Sequence, residues 1–130
     1  MKKYNSGSHT KHRHMYHIVW IPKYRKRVLQ GVVKIRLEEL FKECVEINEW
    51  MIEELNVQPD HIHLLIRLKP TDRVCDVVGK LKGVSSRIIR KEFPKLEEFL
   101  WGDSFWADGY FSETVGQVNF NVIREYIQNQ

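Results

Sequence analysis

The chain has 130 residues, 42% hydrophobic and 29% charged, which fits one globular domain and excludes a disordered or collagenous chain. No apolar run approaches the roughly 18 residues of a membrane span, Met1–Asn5 has no apolar stretch behind its lysines, and Cys44 and Cys75 match neither a metal nor a redox spacing, so a cytoplasmic protein with reduced thiols and no membrane partner is expected. The net charge of +4, from 21 Lys/Arg against 17 Asp/Glu, is unevenly placed: residues 1–37 hold ten Lys/Arg, and the first acid is Glu38.

Residues 1–13 are polar and read as a flexible basic arm ahead of a single domain spanning residues 14–130. His9, His12 and His14 fall in or beside this arm, where a His-rich tract is more often incidental than a metal site. Met15–Ile21 (MYHIVWI) is β-branched and aromatic and predicts a strand, ended by Pro22. Lys23, Arg25, Lys26 and Arg27 then surround Tyr24. That mixture suits a surface that neutralises phosphates and stacks a base, and equally an exposed loop with one packed Tyr. Val32–Ile47 predicts a helix with Val33, Leu37, Leu40, Phe41, Cys44, Val45 and Ile47 opposite an acidic face. Glu49–Val57 predicts a second strand, followed by a turn at Pro59-Asp60.

His61–Leu68 (HIHLLIRL) predicts a third strand, with Ile62, Leu64, Ile66 and Leu68 on one face and His61, His63, Leu65 and Arg67 on the other. Val74–Phe93 predicts the second long helix, ended by Pro94, with Val77, Leu81, Val84 and Ile88 as its apolar face. Lys80, Arg87 and Lys91 fall within about 40° of one another on the helical wheel and form one cationic stripe. Gly83, Ser85 and Ser86 leave room there for another backbone to approach. A last strand is expected near Tyr110–Thr114 and a final helix over Val118–Gln130. The order β-α-β-β-α-β, then a helix, is α+β: a ferredoxin-like antiparallel sheet with helices on it. That fold hosts many functions, so function must come from a site.

Two basic zones without acids, residues 1–37 and the stretch between Asp76 and Glu92, suggest a polyanion such as nucleic acid, although solvated surface charge also explains them. His61 and His63, two apart on a strand, point to one side and can chelate a metal ion. An isolated His-x-His is more often coincidence or a satisfied core pair. Here both rings lie opposite the apolar face of a strongly apolar strand, where two polar side chains need a reason. On the last helix Tyr126 and Gln130 are four residues apart and share a face. A Tyr beside Ile123 and Ile127 is commonly a core aromatic, and a terminal Gln is commonly solvated. A Gln carbonyl is also a hard ligand for a magnesium- or manganese-type ion.

His61-Ile62-His63 follows Tyr16-His17-Ile18-Val19-Trp20 and Lys23–Arg27, and precedes Leu81–Arg87 (LKGVSSR), Tyr110-Phe111, Thr114-Val115-Gly116 and Tyr126–Gln130 (YIQNQ). In that order these segments resemble the single-tyrosine transposases of small bacterial and archaeal insertion sequences, the class with the His-hydrophobic-His motif. The resemblance runs from about His14 to Gln130. It implies an enzyme that cleaves and rejoins single-stranded DNA at insertion-sequence ends through a covalent 5′-phosphotyrosine link. It implies Tyr126 as the nucleophile, carried on the added C-terminal helix, and His61, His63 and Gln130 as ligands of a divalent metal, Mg2+ or Mn2+. It also implies a homodimer acting on DNA with a hairpin near the element ends, the tyrosine helix often reaching the other subunit's histidines.

On that reading Lys23, Arg25, Lys26 and Arg27 are the first candidates for DNA contacts, followed by Lys80, Arg87 and Lys91. Trp20, Trp101 and Trp106 are candidates for base stacking, with core or dimer packing the more ordinary use. Asp60 is a candidate to orient His61, with a turn role the more ordinary one. Relatives usually continue past the Tyr-x-x-x-Gln motif; this chain stops at Gln130, which puts that ligand on a fraying helix end. Two other functions compete. A non-catalytic single-stranded nucleic-acid-binding domain explains the basic zones and leaves the His pair unexplained. A metal-dependent nuclease using activated water would use the His pair and be indifferent to Tyr126→Phe. A structural zinc protein lacks suitably spaced cysteines.

Overall fold

A computed structural model describes residues 14–130; the arm expected over residues 1–13 lies outside the described residues. β1 (His14–Trp20), β2 (Met51–Gln58), β3 (His61–Leu68) and β4 (Phe111–Thr114) form one sheet in the order β2-β3-β1-β4. Every neighbouring pair is antiparallel. This is the expected α+β, ferredoxin-like sheet with helices on it. Because side chains alternate along a strand, Ile18 and Trp20 of β1 share a face with Ile62, Leu64, Ile66 and Leu68 of β3, and all six are buried.

Two long helices cover that face. α1 (Gly31–Ile47) buries Val33, Leu37, Leu40, Phe41, Cys44 and Val45; α2 (Val74–Glu92) buries Val77, Val78, Leu81, Ser85 and Ile89. These side chains and the apolar strand face form one core, which includes Phe105 and Trp106 from the long loop before β4. A short helix, α3 (Glu97–Leu100), follows the 3-10 turn Pro94–Leu96, and a 3-10 turn also spans Lys23–Arg25. The last helix, α4 (Phe120–Gln128), lies on the other face of the sheet, where Ile127 packs with Met15, Leu65 and Val115 in a second, smaller cluster. Among the described residues no helix is long and apolar enough to cross a membrane.

The expected apolar face of α2 is rotated. Val84 and Ile88 are only partly buried, and Ser85 is fully buried in their place. The cause is polar: Ser85 Oγ accepts the Trp106 indole N–H at 3.0 Å and donates to Leu81 O at 2.6 Å, so the hydroxyl enters the core with both roles satisfied. The room expected at Gly83 meets no neighbouring backbone, since a Cβ there would have nothing within 4 Å. Ile47, expected in the core of α1, is 77% exposed because it is the last helical residue and the chain turns away at Asn48.

Candidate active site

Beside its small apolar cluster, the second face of the sheet carries a group of polar side chains. β3 turns His61 and His63 to it, β2 turns Asn56 and Gln58, β1 turns His17, and β4 turns Glu113. The pairing register sets their proximity: Asn56 lies opposite His63, Gln58 opposite His61, and Glu113 opposite His17. His17 and His63 are diagonal neighbours across β1 and β3, since Val19 is the residue opposite His63.

Each site histidine is held through Nδ1. His61 Nδ1–H donates to Asp60 Oδ1 at 2.8 Å, and this bond, the larger cause, keeps the Asp60 carboxyl below its ordinary range. Asp60 therefore orients His61, a role additional to the turn. Its other oxygen accepts from Arg25 Nε at 3.0 Å, which ties the basic turn to the site. His63 Nδ1 lies 3.0 Å from His17 Nε2, and His17 Nδ1–H donates to Glu113 Oε2 at 2.7 Å. The His17 and His63 rings stack 5.3 Å apart. Burial, and then the neighbouring His17 and His61, push His63 down to about 4, so its ring is neutral at physiological pH.

α4 delivers the remaining groups. Asn56 Nδ2 donates to Ile127 O at 2.7 Å and Gln58 Nε2 to Gln130 O at 3.3 Å. Side chains of β2 thus tie down the last turn of the helix at Ile127 O and the chain just beyond it at Gln130 O. The helix ends at Gln128, two residues short of the expected end. Gln130 lies beyond it, and its Oε1 sits 3.1 Å from His63 Nε2. Tyr126 packs its ring edge-on to His63 at 5.6 Å and to His17 at 6.4 Å, within the same chain. It is 54% exposed, so the core reading of this aromatic does not hold. The structure therefore brings His61, His63, Tyr126 and Gln130 together from residues 61 to 130. His17, Glu113, Asn56 and Gln58 complete the site without having been singled out from sequence. A lone His inside the apolar strand MYHIVWI was the available signal.

The donor set fits a hard-to-borderline divalent ion. Among the described residues no three His, Cys, Asp or Glu gather to hold a metal, so the candidate set is two imidazoles and a carboxamide oxygen. Two ligands at right angles, each about 2.1 Å from an octahedral ion, stand about 3 Å apart; His63 Nε2 and Gln130 Oε1 have that separation.

The cationic candidates divide by position. Tyr24, Arg25, Lys26 and Arg27 are exposed and Lys23 is half-buried, in a turn that adjoins His61 through Arg25 and Asp60. Tyr24 and Arg25 both take positive φ, and the Tyr24 hydroxyl donates to Asp103. Lys80, Arg87 and Lys91 are exposed on α2, across the sheet from the histidines. Lys80 Nζ donates to Asn48 Oδ1 and lies over the Trp50 ring. Their neighbours Lys82 and Arg90 are structural, donating to carbonyls of Ala107, Gly109 and Asp103. Trp20 and Trp106 are core residues, while Trp101 is 82% exposed.

The chain matches the family described as "Transposase IS200 like" over residues 10–130. The ISDra2 transposase TnpA of Deinococcus radiodurans is 36% identical over 115 residues, covering 88% of this chain and 82% of that one. The transposase for insertion sequence element IS200 of Salmonella typhimurium is 34% identical over 125 residues, covering 96% and 82%. A solved Deinococcus radiodurans chain is 34% identical and superposes with a TM-score of 0.73 over 89% of each chain. A REP-associated tyrosine transposase, solved bound to a REP hairpin, shares the fold at 12% identity, with a TM-score of 0.66 over 98% of this chain and 70% of that one. With the family match spanning residues 10–130, and relatives above 30% identity over most of their length, the chain belongs to the IS200-like transposases.

Proposed function

We propose that this transposase cleaves and rejoins single-stranded DNA at insertion-sequence ends, with Tyr126 as nucleophile and a divalent cation, Mg2+ or Mn2+, held by His61, His63 and Gln130. One arrangement carries the reading: an exposed Tyr126 ring 5.6 Å from His63, with Gln130, just past the same helix, 3.1 Å from His63 Nε2. A buried aromatic and a solvated terminal Gln would show neither feature.

In the cleavage step Tyr126 Oη bonds to phosphorus while the bond from phosphorus to the 3′ oxygen of the preceding nucleotide breaks. The phenol gives up a proton and the departing oxygen gains one. The products are a 5′-phosphotyrosine link and a free 3′-hydroxyl, so the phosphodiester energy is retained. In rejoining, a 3′-hydroxyl attacks the phosphotyrosine and releases Tyr126, with no need for ATP. Phenols ordinarily titrate near pH 10 and are poor nucleophiles at neutral pH. A bound cation would polarise the scissile phosphate and offset charge on the departing oxygen. His61, His63 and Gln130 bring no negative charge, so the full cationic field would act on the phosphate.

Lys23, Arg25, Lys26 and Arg27 are proposed to hold DNA beside the scissile phosphate. Lys80, Arg87 and Lys91, across the sheet, would hold DNA further away, consistent with a hairpin near the element end. The working unit is proposed to be a homodimer. Phe111–Thr114 is exposed throughout on a strand at the end of the sheet order, as are Val118 and Val122 around α4, and these are surfaces a second copy would cover.

The test uses the full chain and single-stranded DNA spanning the source element's ends, with Mn2+ or EDTA, on a denaturing gel. A Mn2+-dependent covalent protein–DNA band that is lost in Tyr126→Phe is expected. Cleavage that survives Tyr126→Phe would replace the proposal with a nuclease using water, and salt-sensitive binding without cleavage would replace it with a binding module.

A further inference from the structure

We propose that Glu113 and His17 are positioning residues that hold the proton of His63 on Nδ1, so that His63 Nε2 faces Gln130 Oε1 as a bare lone pair. The inference rests on the metal-binding reading above and names what prepares its donor set.

With a single proton on His63, the hydrogen-bond chain leaves two proton arrangements. A carboxylate only accepts, so His17 Nδ1 carries the proton shared with Glu113. In the first arrangement His17 Nε2 is then an acceptor, His63 Nδ1–H donates to it across 3.0 Å, and His63 Nε2 is unprotonated. Nε2 and Gln130 Oε1 then present two lone pairs to one another at 3.1 Å, an unfavourable contact that a cation between them relieves. In the second arrangement His17 carries protons on both nitrogens and donates to His63 Nδ1. His63 Nε2–H then donates to Gln130 Oε1, and no ion can bind at that nitrogen. The first needs no charged imidazole beneath the sheet face, where His17 is 4% and His63 5% exposed.

Geometry beside the chain favours the first arrangement. His61, the other imidazole of the pair, is held in the same sense by a different carboxylate: Nδ1–H on Asp60, with Nε2 left as its remaining nitrogen. One histidine is oriented directly by the acid that precedes it. The other is oriented through an intervening imidazole by an acid 50 residues away in sequence. Both then present Nε2, the nitrogen furthest from the backbone. Metal-bound histidines characteristically donate their second nitrogen to a carboxylate, carbonyl or water; here the acceptor is itself an imidazole, fixed from behind.

The test reads proton position directly in metal-free full-length protein, by long-range 1H–15N NMR of the imidazoles in wild type, His17→Phe and His17→Gln. Phe fills the ring volume and removes the acceptor; Gln puts a carboxamide near the place of Nε2. Wild type is expected to show His63 neutral and protonated on Nδ1. In His17→Phe the proton moves to Nε2 and donates to Gln130, and His17→Gln restores it to Nδ1. Mn2+ affinity, measured by calorimetry, is expected to fall about 10- to 100-fold in His17→Phe and to recover largely in His17→Gln. A wild-type His63 protonated on Nε2, or a His17→Phe variant with the wild-type tautomer, would overturn the inference. Wild type that binds no Mn2+ while showing the expected tautomers would instead overturn the metal reading and leave the proton arrangement standing.

Discussion

Leu64 and His63 are adjacent in β3 and almost equally buried, at 0% and 5% exposure, but they face opposite sides of the sheet. Leu64 enters the core beneath α1 and α2, where apolar surface removed from water supplies stability. His63 enters a layer where each ring nitrogen faces a polar partner, His17 or Gln130. Burial on the first side stabilises the fold; on the second it fixes where protons and lone pairs lie. Truncating the two residues should therefore fail in opposite ways. Leu64→Ala is expected to cost about 2–5 kcal/mol in urea unfolding, with cleavage retained wherever the protein stays folded. His63→Ala is expected to lose cleavage while costing about 1–3 kcal/mol, the penalty of leaving His17 without its partner. Cleavage retained by a folded His63→Ala variant would show that the second side is ordinary core.

The second side should also reveal itself by pH. His63 is held near 4 in the folded protein, against an ordinary 6.5. As pH falls from 6.5 towards 4 the unfolded chain takes up this proton and the folded chain does not, so stability is lost over that window and is flat above it. At 1.36 kcal/mol per unit the loss reaches at most about 3 kcal/mol. His17, His61 and, through His17, Glu113 face the same ring. Asp60, held below its ordinary range, adds a loss in the same direction at lower pH. Urea titrations in EDTA from pH 7.5 to 4 should give this slope in wild type and in Leu64→Ala. A flatter curve is expected in His63→Gln.

Period and punctuation made the first side legible. All four strands and both long helices fall within one or two residues of their expected bounds, because alternation at 61–68 and the 3.6-residue pattern at 33–45 are strong. The departures have separate causes. Ser85 enters the core because Trp106, 21 residues away, brings it a donor, which no helical wheel contains. Glu97–Leu100, a single turn after a proline, is too short to show a period. The site was legible where a resemblance marked it, at His61, His63, Tyr126 and Gln130. His17 and Glu113 were not, because their proximity depends on β1 lying between β3 and β4, a fact of strand order.

A gentler perturbation separates the helix from the chemistry. Asn56 is not placed among the metal ligands, yet it anchors α4 through Ile127 O. Asn56→Ala is expected to cost about 1 kcal/mol overall and to raise amide hydrogen exchange in Phe120–Gln128 well above that of β3. Cleavage should fall because Tyr126 is less well positioned, while the size of the acid-induced stability loss at His63 stays near wild type. A uniform rise in exchange across β3 and α4 would mean that helix and sheet unfold as one unit, and that the second side is no less rigid than the first.

The smallest expected effect tests whether both sides meet DNA. Lys26, in the turn beside His61, and Lys91, on α2 across the sheet, are both exposed lysines. A lysine that contacts a phosphate releases counterions, so its removal lowers the dependence of log affinity on log salt by about 0.7 on single strands and 0.9 on a duplex. Lys26→Ala is expected to lower the slope for a short single strand carrying only the cleavage site. Lys91→Ala should leave that slope unchanged and lower it only when the substrate also carries the hairpin, since α2 and the histidines are separated by the thickness of the sheet. If Lys91→Ala weakened the short strand as much as Lys26→Ala, the DNA would have to wrap the edge of the sheet to reach both, and the division between a stabilising face and a working face would not extend to binding.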